Sequence, residues 1–91
     1  MTARTDVYRC WAADGRLLYI GMSMGVAHRL SEHRRTAAWF PEVAKVTTLT
    51  YQSRDEAMTA ERIAIQHERP IHNKDRHVPA MLPPITSEPT A

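Results

Sequence analysis

A small α/β domain, with a three-stranded and mainly antiparallel sheet flanked by helices, is the fold class this sequence predicts. Three observations carry the prediction. The apolar runs Val7–Trp11 and Leu17–Ile20 face each other across Asp14-Gly15. The stretch Val43–Tyr51, VAKVTTLTY, is rich in β-branched residues and reads as a strand. Ser53-Arg54-Asp55-Glu56 has the S-x-x-E form of a capping box, in which the serine side chain and the glutamate satisfy free amides at a helix start. The order strand, strand, helix, strand, helix gives layered α/β architecture.

Met1 to Thr5 is polar and reads as a frayed start. Asp14-Gly15 between apolar runs is a hairpin signal, because glycine supplies the positive φ such turns require. Gly21 ends the second strand. Ser23 is the expected N-cap of a helix over Met24–Arg35, with Val26, Leu30 and Ala37 marking its buried stripe. Arg29 and His33 are four residues apart and stack on the flank of that stripe. Trp39, Phe40 and Pro41 read as a buried connection into the third strand. The helix after Ser53 is expected to run to about Arg69, since Pro70 disfavours helical geometry in the residue before it. Its apolar face is Ala57, Met58, Ala64 and Ile65. Glu61 falls inside that face, where an ionised carboxylate is costly unless a cation meets it.

Chain length bounds the rest. Ninety-one residues support one domain with one modest core. The expected domain covers residues 5–77. Residues 78–91 hold four prolines without periodicity and read as an extended or disordered tail. A single cysteine, Cys10, makes no internal disulfide and no cysteine-rich zinc site. His28, His67, His72 and His77 match no compact zinc spacing. No apolar run is long enough to cross a membrane, so a cytoplasmic protein with no membrane partner is expected. The net charge of +2 is too small to argue for nucleic acid by itself. Its distribution is more telling, with His28, Arg29, His33, Arg34 and Arg35 in one short segment and Arg69, Lys74, Arg76 and His77 in another.

Read together, Val7-Tyr8-Arg9, Tyr19-Ile20-Gly21, Arg29, Glu61 and Pro70 to Asn73 resemble the GIY-YIG nuclease superfamily. The hairpin and following helix, VYRCWAADGRLLYIGMSMGVAHRL, are most similar to the GIY-YIG domain of the nuclease subunit of bacterial nucleotide excision repair. The resemblance spans roughly residues 5 to 74. Each short motif is weak alone, but the ordered set is specific. Three positions depart from the pattern, the first being Arg9, which follows Tyr8 directly as in some family members, so that Tyr8 matches the tyrosine itself. Asp6 stands where the first triplet usually has glycine, and Met22 where many relatives carry a lysine or another polar residue.

The resemblance implies a Mg²⁺-dependent DNA endonuclease, with Mn²⁺ as a substitute ion. In that scheme Glu61 holds the metal, which needs few protein ligands because magnesium keeps most of its water. Arg29 clamps the scissile phosphate, since its fork matches phosphate oxygens and keeps its charge. Tyr8 serves as general base, although a phenol with a pKa near ~10 needs help at neutral pH. With methionine at position 22, His33 is expected to provide that help, by taking the tyrosine proton or by acting as base itself. Tyr19 orients water or phosphate, and Asn73 fixes the geometry of the site. Arg29, Arg34, Arg35 and Lys74 are the expected DNA contacts, and a homodimer or a larger protein assembly is the expected setting. A non-catalytic nucleic-acid-binding module on the same fold is the alternative, kept open by Asp6 and Met22. A third reading is a protein-interaction adaptor that uses the Pro-rich tail.

Overall fold

A computed structural model describes residues 3–73 of the protein. Lys74, Arg76, His77 and the Pro-rich 78–91 segment lie outside the described residues. Strand β1 spans Thr5–Ala12 and β2 spans Leu17–Ser23. Helix α1 covers Val26–Thr36, and a 3₁₀ turn at Phe40–Glu42 leads into β3, Val43–Tyr51. Helix α2 spans Arg54–Glu68. The three strands form one antiparallel sheet in the order β2-β1-β3, so the first strand in sequence is central in space. This is the α/β fold expected from the sequence.

Alternation along β1 sends its side chains to two different layers. Tyr8, Cys10 and Ala12 join Tyr19 in one cluster, against which Val26, Leu30, Trp39, Val43 and Val46 pack. Val7 and Ile20 join Ala57 and Ala64 in the other, closed by Met22, Tyr51, Ala60 and Ile65. Helices α1 and α2 therefore cover opposite faces of the sheet. Most fully buried large side chains belong to the hairpin: Tyr8, Tyr19, Leu18, Ile20 and Val7. Each buried aliphatic chain of that size is worth about 1.5–3 kcal/mol, so the hairpin is the main source of core stability. A two-pronged contact from Arg9 to Glu68, at 2.8 and 2.6 Å, ties β1 to the last turn of α2.

Local chemistry accounts for where the elements start and stop. The capping box forms: Ser53 Oγ accepts from the Glu56 amide at 3.2 Å, and Glu56 Oε1 accepts from the Gln52 amide at 3.3 Å. Helix α2 ends at Arg69, whose φ of 51° is left-handed, and Pro70 follows buried. The hairpin turn is longer than Asp14-Gly15 alone. Ala12 donates to the Arg16 carbonyl, and Gly15, at φ +91°, donates to Ala12. Asp14 then holds Arg16 through backbone and side-chain bonds.

Three sequence expectations are corrected. Gly25, not Ser23, is the N-cap of α1, because Ser23 is still paired in β2 and its Oγ accepts from the Gly25 amide instead. Met58 is 39% exposed, so the buried face of α2 rests on Ala57 and Ala64. The Trp39–Pro41 connection is only partly covered, with Trp39 and Phe40 half-buried and Pro41 exposed.

Candidate active site

The site is built on the β1–β2 pair. Tyr8 is opposite Gly21 and Cys10 opposite Tyr19, so Tyr8 and Tyr19 face the same side of the sheet, where α1 lies. Their ring centroids are 6.2 Å apart. Both rings are buried. Helix α1 brings His33 down onto them: its Nε2 and the Tyr8 hydroxyl share a hydrogen bond of 2.9 Å, and its ring meets Tyr19 edge-on at 4.8 Å. His33 is itself buried. Its expected neighbour Arg29, one turn earlier, lines the pocket beside them and is near enough to act on the Tyr8 phenol electrostatically. Burial pushes the Tyr8 phenol far above its ordinary value, Tyr19 adds to the shift, and Arg29 offsets part of it. Tyr8 therefore keeps its proton at neutral pH unless a partner accepts it.

Gly21 makes this arrangement possible. A Cβ at that position would stand 2.5 Å from the Tyr8 hydroxyl oxygen, which no real pair of atoms tolerates. What approaches the glycine is the Tyr8 ring. Met22, next along, turns to the other layer and packs against the cluster of Val7, Ile20, Ala57 and Ala64. It serves the core on the α2 side, which leaves His33 as the group within hydrogen-bond reach of Tyr8.

Asn73 acts on the backbone. Its Oδ1 accepts from the Ile20 amide and its Nδ2 donates to the Ile20 carbonyl, both at 2.7 Å. The Ile71 and His72 amides donate to the Leu17 and Leu18 carbonyls at 3.1 and 2.9 Å. Residues 71–73 thereby close the outer edge of β2, and the buried amide of Asn73 holds the residue between Tyr19 and Gly21.

A pocket of about 320 Å³ opens beside these residues, walled by Tyr19, Arg29, His33, Trp39 and His72 among others. Glu32 also lines it, and its carboxylate binds Arg29 at 2.8 Å and His28 at 3.4 Å. The pairing holds Glu32 below the usual carboxylate range, with the Arg29 hydrogen bond as the first cause. Sequence reading missed Glu32, Trp39 and His72 as site residues. The i, i+3 spacing of Arg29 and Glu32 is the one signal that pointed to any of them. Arg34 and Arg35 are exposed on the same helix. Glu61 is half-buried on α2 and lines a separate depression of about 440 Å³ with Met58, Arg62, Ile65 and Gln66. So Tyr8, Tyr19, Arg29 and His33 come together, Asn73 braces them from behind, and Glu61 sits on the other helix.

Whether these residues suit a divalent cation turns on the donor set. Among the described residues no three His, Cys, Asp or Glu side chains cluster as ligands. A site with one protein carboxylate suits Mg²⁺, which retains waters, better than an ion that demands a protein cage. Cys10 is no ligand candidate, since burial pushes its thiol up to about 11. Among the described residues no helix is long and apolar enough to cross a membrane.

No protein-family model and no solved structure matches the chain. Curated relatives do. The chain is 34% identical over 80 residues to UvrABC system protein C of Acinetobacter baylyi, an alignment covering 80% of this chain and 13% of that protein. It is 35% identical over 79 residues to the protein of the same name from Ectopseudomonas mendocina, covering 79% and 13%. The Pseudomonas aeruginosa (strain LESB58) protein is 34% identical over 77 residues, again with 13% of its length covered. The chain thus spans about 13% of the curated relatives it matches. With the sheet order, the paired tyrosines and these relatives in agreement, the chain is placed in the GIY-YIG superfamily, as a domain similar to one part of UvrABC system protein C.

Proposed function

We propose that this domain is a Mg²⁺-dependent DNA endonuclease of the nuclease and DNA-repair type its relatives suggest. One observation carries the reading: a buried tyrosine hydroxyl shares a 2.9 Å hydrogen bond with a histidine nitrogen, and an arginine one turn before that histidine lines the adjoining pocket. Hydrolysis of a phosphodiester needs a deprotonated water, neutralised phosphate charge and a protonated leaving oxygen. With Nε2 of His33 unprotonated, the Tyr8 hydroxyl donates to it. As water attacks phosphorus and the bond from phosphorus to the leaving oxygen breaks, the water proton passes to the Tyr8 oxygen and the Tyr8 proton to His33, while the leaving oxygen takes a proton from solvent. The phenol never has to exist as a free phenolate, which its burial disfavours. Arg29 exchanges Glu32 for phosphate oxygens and spreads the charge of the transition state over its fork. Tyr19, held between His33 and Trp39, fixes the line of approach. Glu61, on α2, is the side chain that would hold Mg²⁺, which would supply Lewis-acid chemistry when bound.

The test is a cleavage screen of the purified protein over duplex, nicked, flapped and branched DNA with Mg²⁺ or Mn²⁺. Cutting by the native chain, lost in Glu61→Ala and Tyr8→Phe with folding intact, is the expected result. Robust cleavage by Glu61→Ala overturns the metal assignment. Gel-shift binding without cutting under every condition selects the alternative, a nucleic-acid-binding module on the same fold.

A further inference from the structure

The pocket beside Arg29 has a wall that phosphate chemistry does not need. Trp39 stacks on Tyr19 with centroids 4.9 Å apart and planes 19° from parallel. It stacks again on His72, at 5.7 Å and 17°. Three rings from β2, the α1–β3 connection and the segment after α2 thus stack in succession, and all three line the pocket. The same pocket has polar lining: the Arg29 guanidinium and the Glu32 carboxylate, paired on α1. Tyr19 is fully buried, but Trp39 and His72 are each half-buried and offer ring surface to the opening.

Aromatic rings and a cation lining one pocket make an arrangement that receives a nucleotide, with its base on the rings and its phosphate on the arginine. A base inside a duplex has both faces covered by its neighbours and cannot reach such a wall without leaving the stack. We propose that the Trp39–His72 wall binds the base of one unpaired nucleotide next to the phosphate held by Arg29, so that the domain selects DNA with an unpaired or splayed strand over intact duplex. This rests on the nuclease reading for the position of the phosphate. Glu32 faces the same space and adds an acceptor for a base amino group once it releases Arg29. The pocket volume of about 320 Å³ lies at the small end of ligand sites, in keeping with a single base as occupant.

The protein has two tryptophans, and Trp11 lies on β1, with its Nε1 bonded to Thr47 on β3. In a Trp11→Phe background the emission reports Trp39 alone. Titration with a short single-stranded oligodeoxynucleotide should quench it, and the same strand in blunt duplex should not. His72→Ala should weaken single-strand binding roughly ten-fold and leave duplex binding unchanged, and His72→Phe should restore it. His72 contributes its backbone amide to Leu18, which either variant keeps, so folding is preserved. An abasic residue beside the cut site should erase the preference for unpaired strands. Equal binding of single strand and duplex, or no change in Trp39 emission at saturation, overturns the proposal. Cutting of duplex without a Trp39 response rejects this pocket and leaves the nuclease reading standing. A Trp39 response without cutting does the reverse.

Discussion

The ring of Tyr8 lies across the Cα of Gly21, so close that the glycine has no room for a methyl group. One residue's lack of a side chain thus sets the position of another's hydroxyl. Gly21→Ala would bring Cβ within 2.5 Å of that oxygen and 3.0 Å of the Tyr19 ring. Overpacking of this kind costs about 1–3 kcal/mol. The ring must also slide off His33, so the cleavage rate should fall at least about a hundred-fold, as expected when proton transfer is lost. Denaturant unfolding and single-turnover cleavage measure the two effects. An Ala variant with unchanged midpoint and rate would contradict the packing described.

Asn73 replaces a neighbouring strand at the edge of β2. Asn73→Ala leaves the Ile20 amide and carbonyl without their partner in a buried setting, which should cost about 2–4 kcal/mol. Asn73→Asp keeps the acceptor for the amide but sets a carboxylate against the Ile20 carbonyl, and should be no better. Hydrogen exchange at the Ile20 amide is the direct readout, with faster exchange in both variants. Protection equal to the native protein would refute the clamp.

Alkaline stability should report Tyr8. Its phenol is raised in the folded state, mainly by burial, so the native protein binds more protons than the unfolded chain once pH exceeds the unfolded value near ~10. Stability from this group is complete below that pH and is lost as pH rises through the folded value. Between about pH 9 and 11 the unfolding midpoint should drop more steeply for the native protein than for Tyr8→Phe. Parallel curves would show that the hydroxyl is not buried as described.

Glu32 occupies the guanidinium that the proposed reaction needs. Glu32→Gln should free Arg29 and remove a negative charge from the pocket. DNA binding at low salt should then tighten by about two- to five-fold, a gain that shrinks as salt screens the charge. Fluorescence anisotropy across a salt series checks this. Weaker binding in the variant would mean that Glu32 positions Arg29 rather than competing for it.

Much of this is legible in the sequence. The Asp14-Gly15 pair, the β-branched run and the capping box each obey a local rule, and each element appeared where its rule placed it. Tyr8, Arg29 and His33 were legible as a group because resemblance supplied the pairing and helical spacing stacked the last two. Ser23 misled because an N-cap preference is local, while the β2 pairing that retained it is not. Met58 misled because α2 meets the sheet through alanines, on a narrower face than its apolar residues suggest. Trp39 and His72 lie far apart in sequence and meet only through tertiary packing. No local pattern encodes that stack.

The sheet order also has a bearing on how the chain assembles. Its central strand is the first to be made, and its two neighbours arrive at very different times. The β1–β2 hairpin closes through a short turn and can form early, within microseconds. Pairing with β3 must close a loop that contains all of α1, and the brace at Asn73 must wait for the end of α2. Chain-closure entropy places these steps late. A nascent chain would therefore carry both tyrosines on a formed hairpin while the edge beside Ile20 still lay bare, and residue 73 would complete the site.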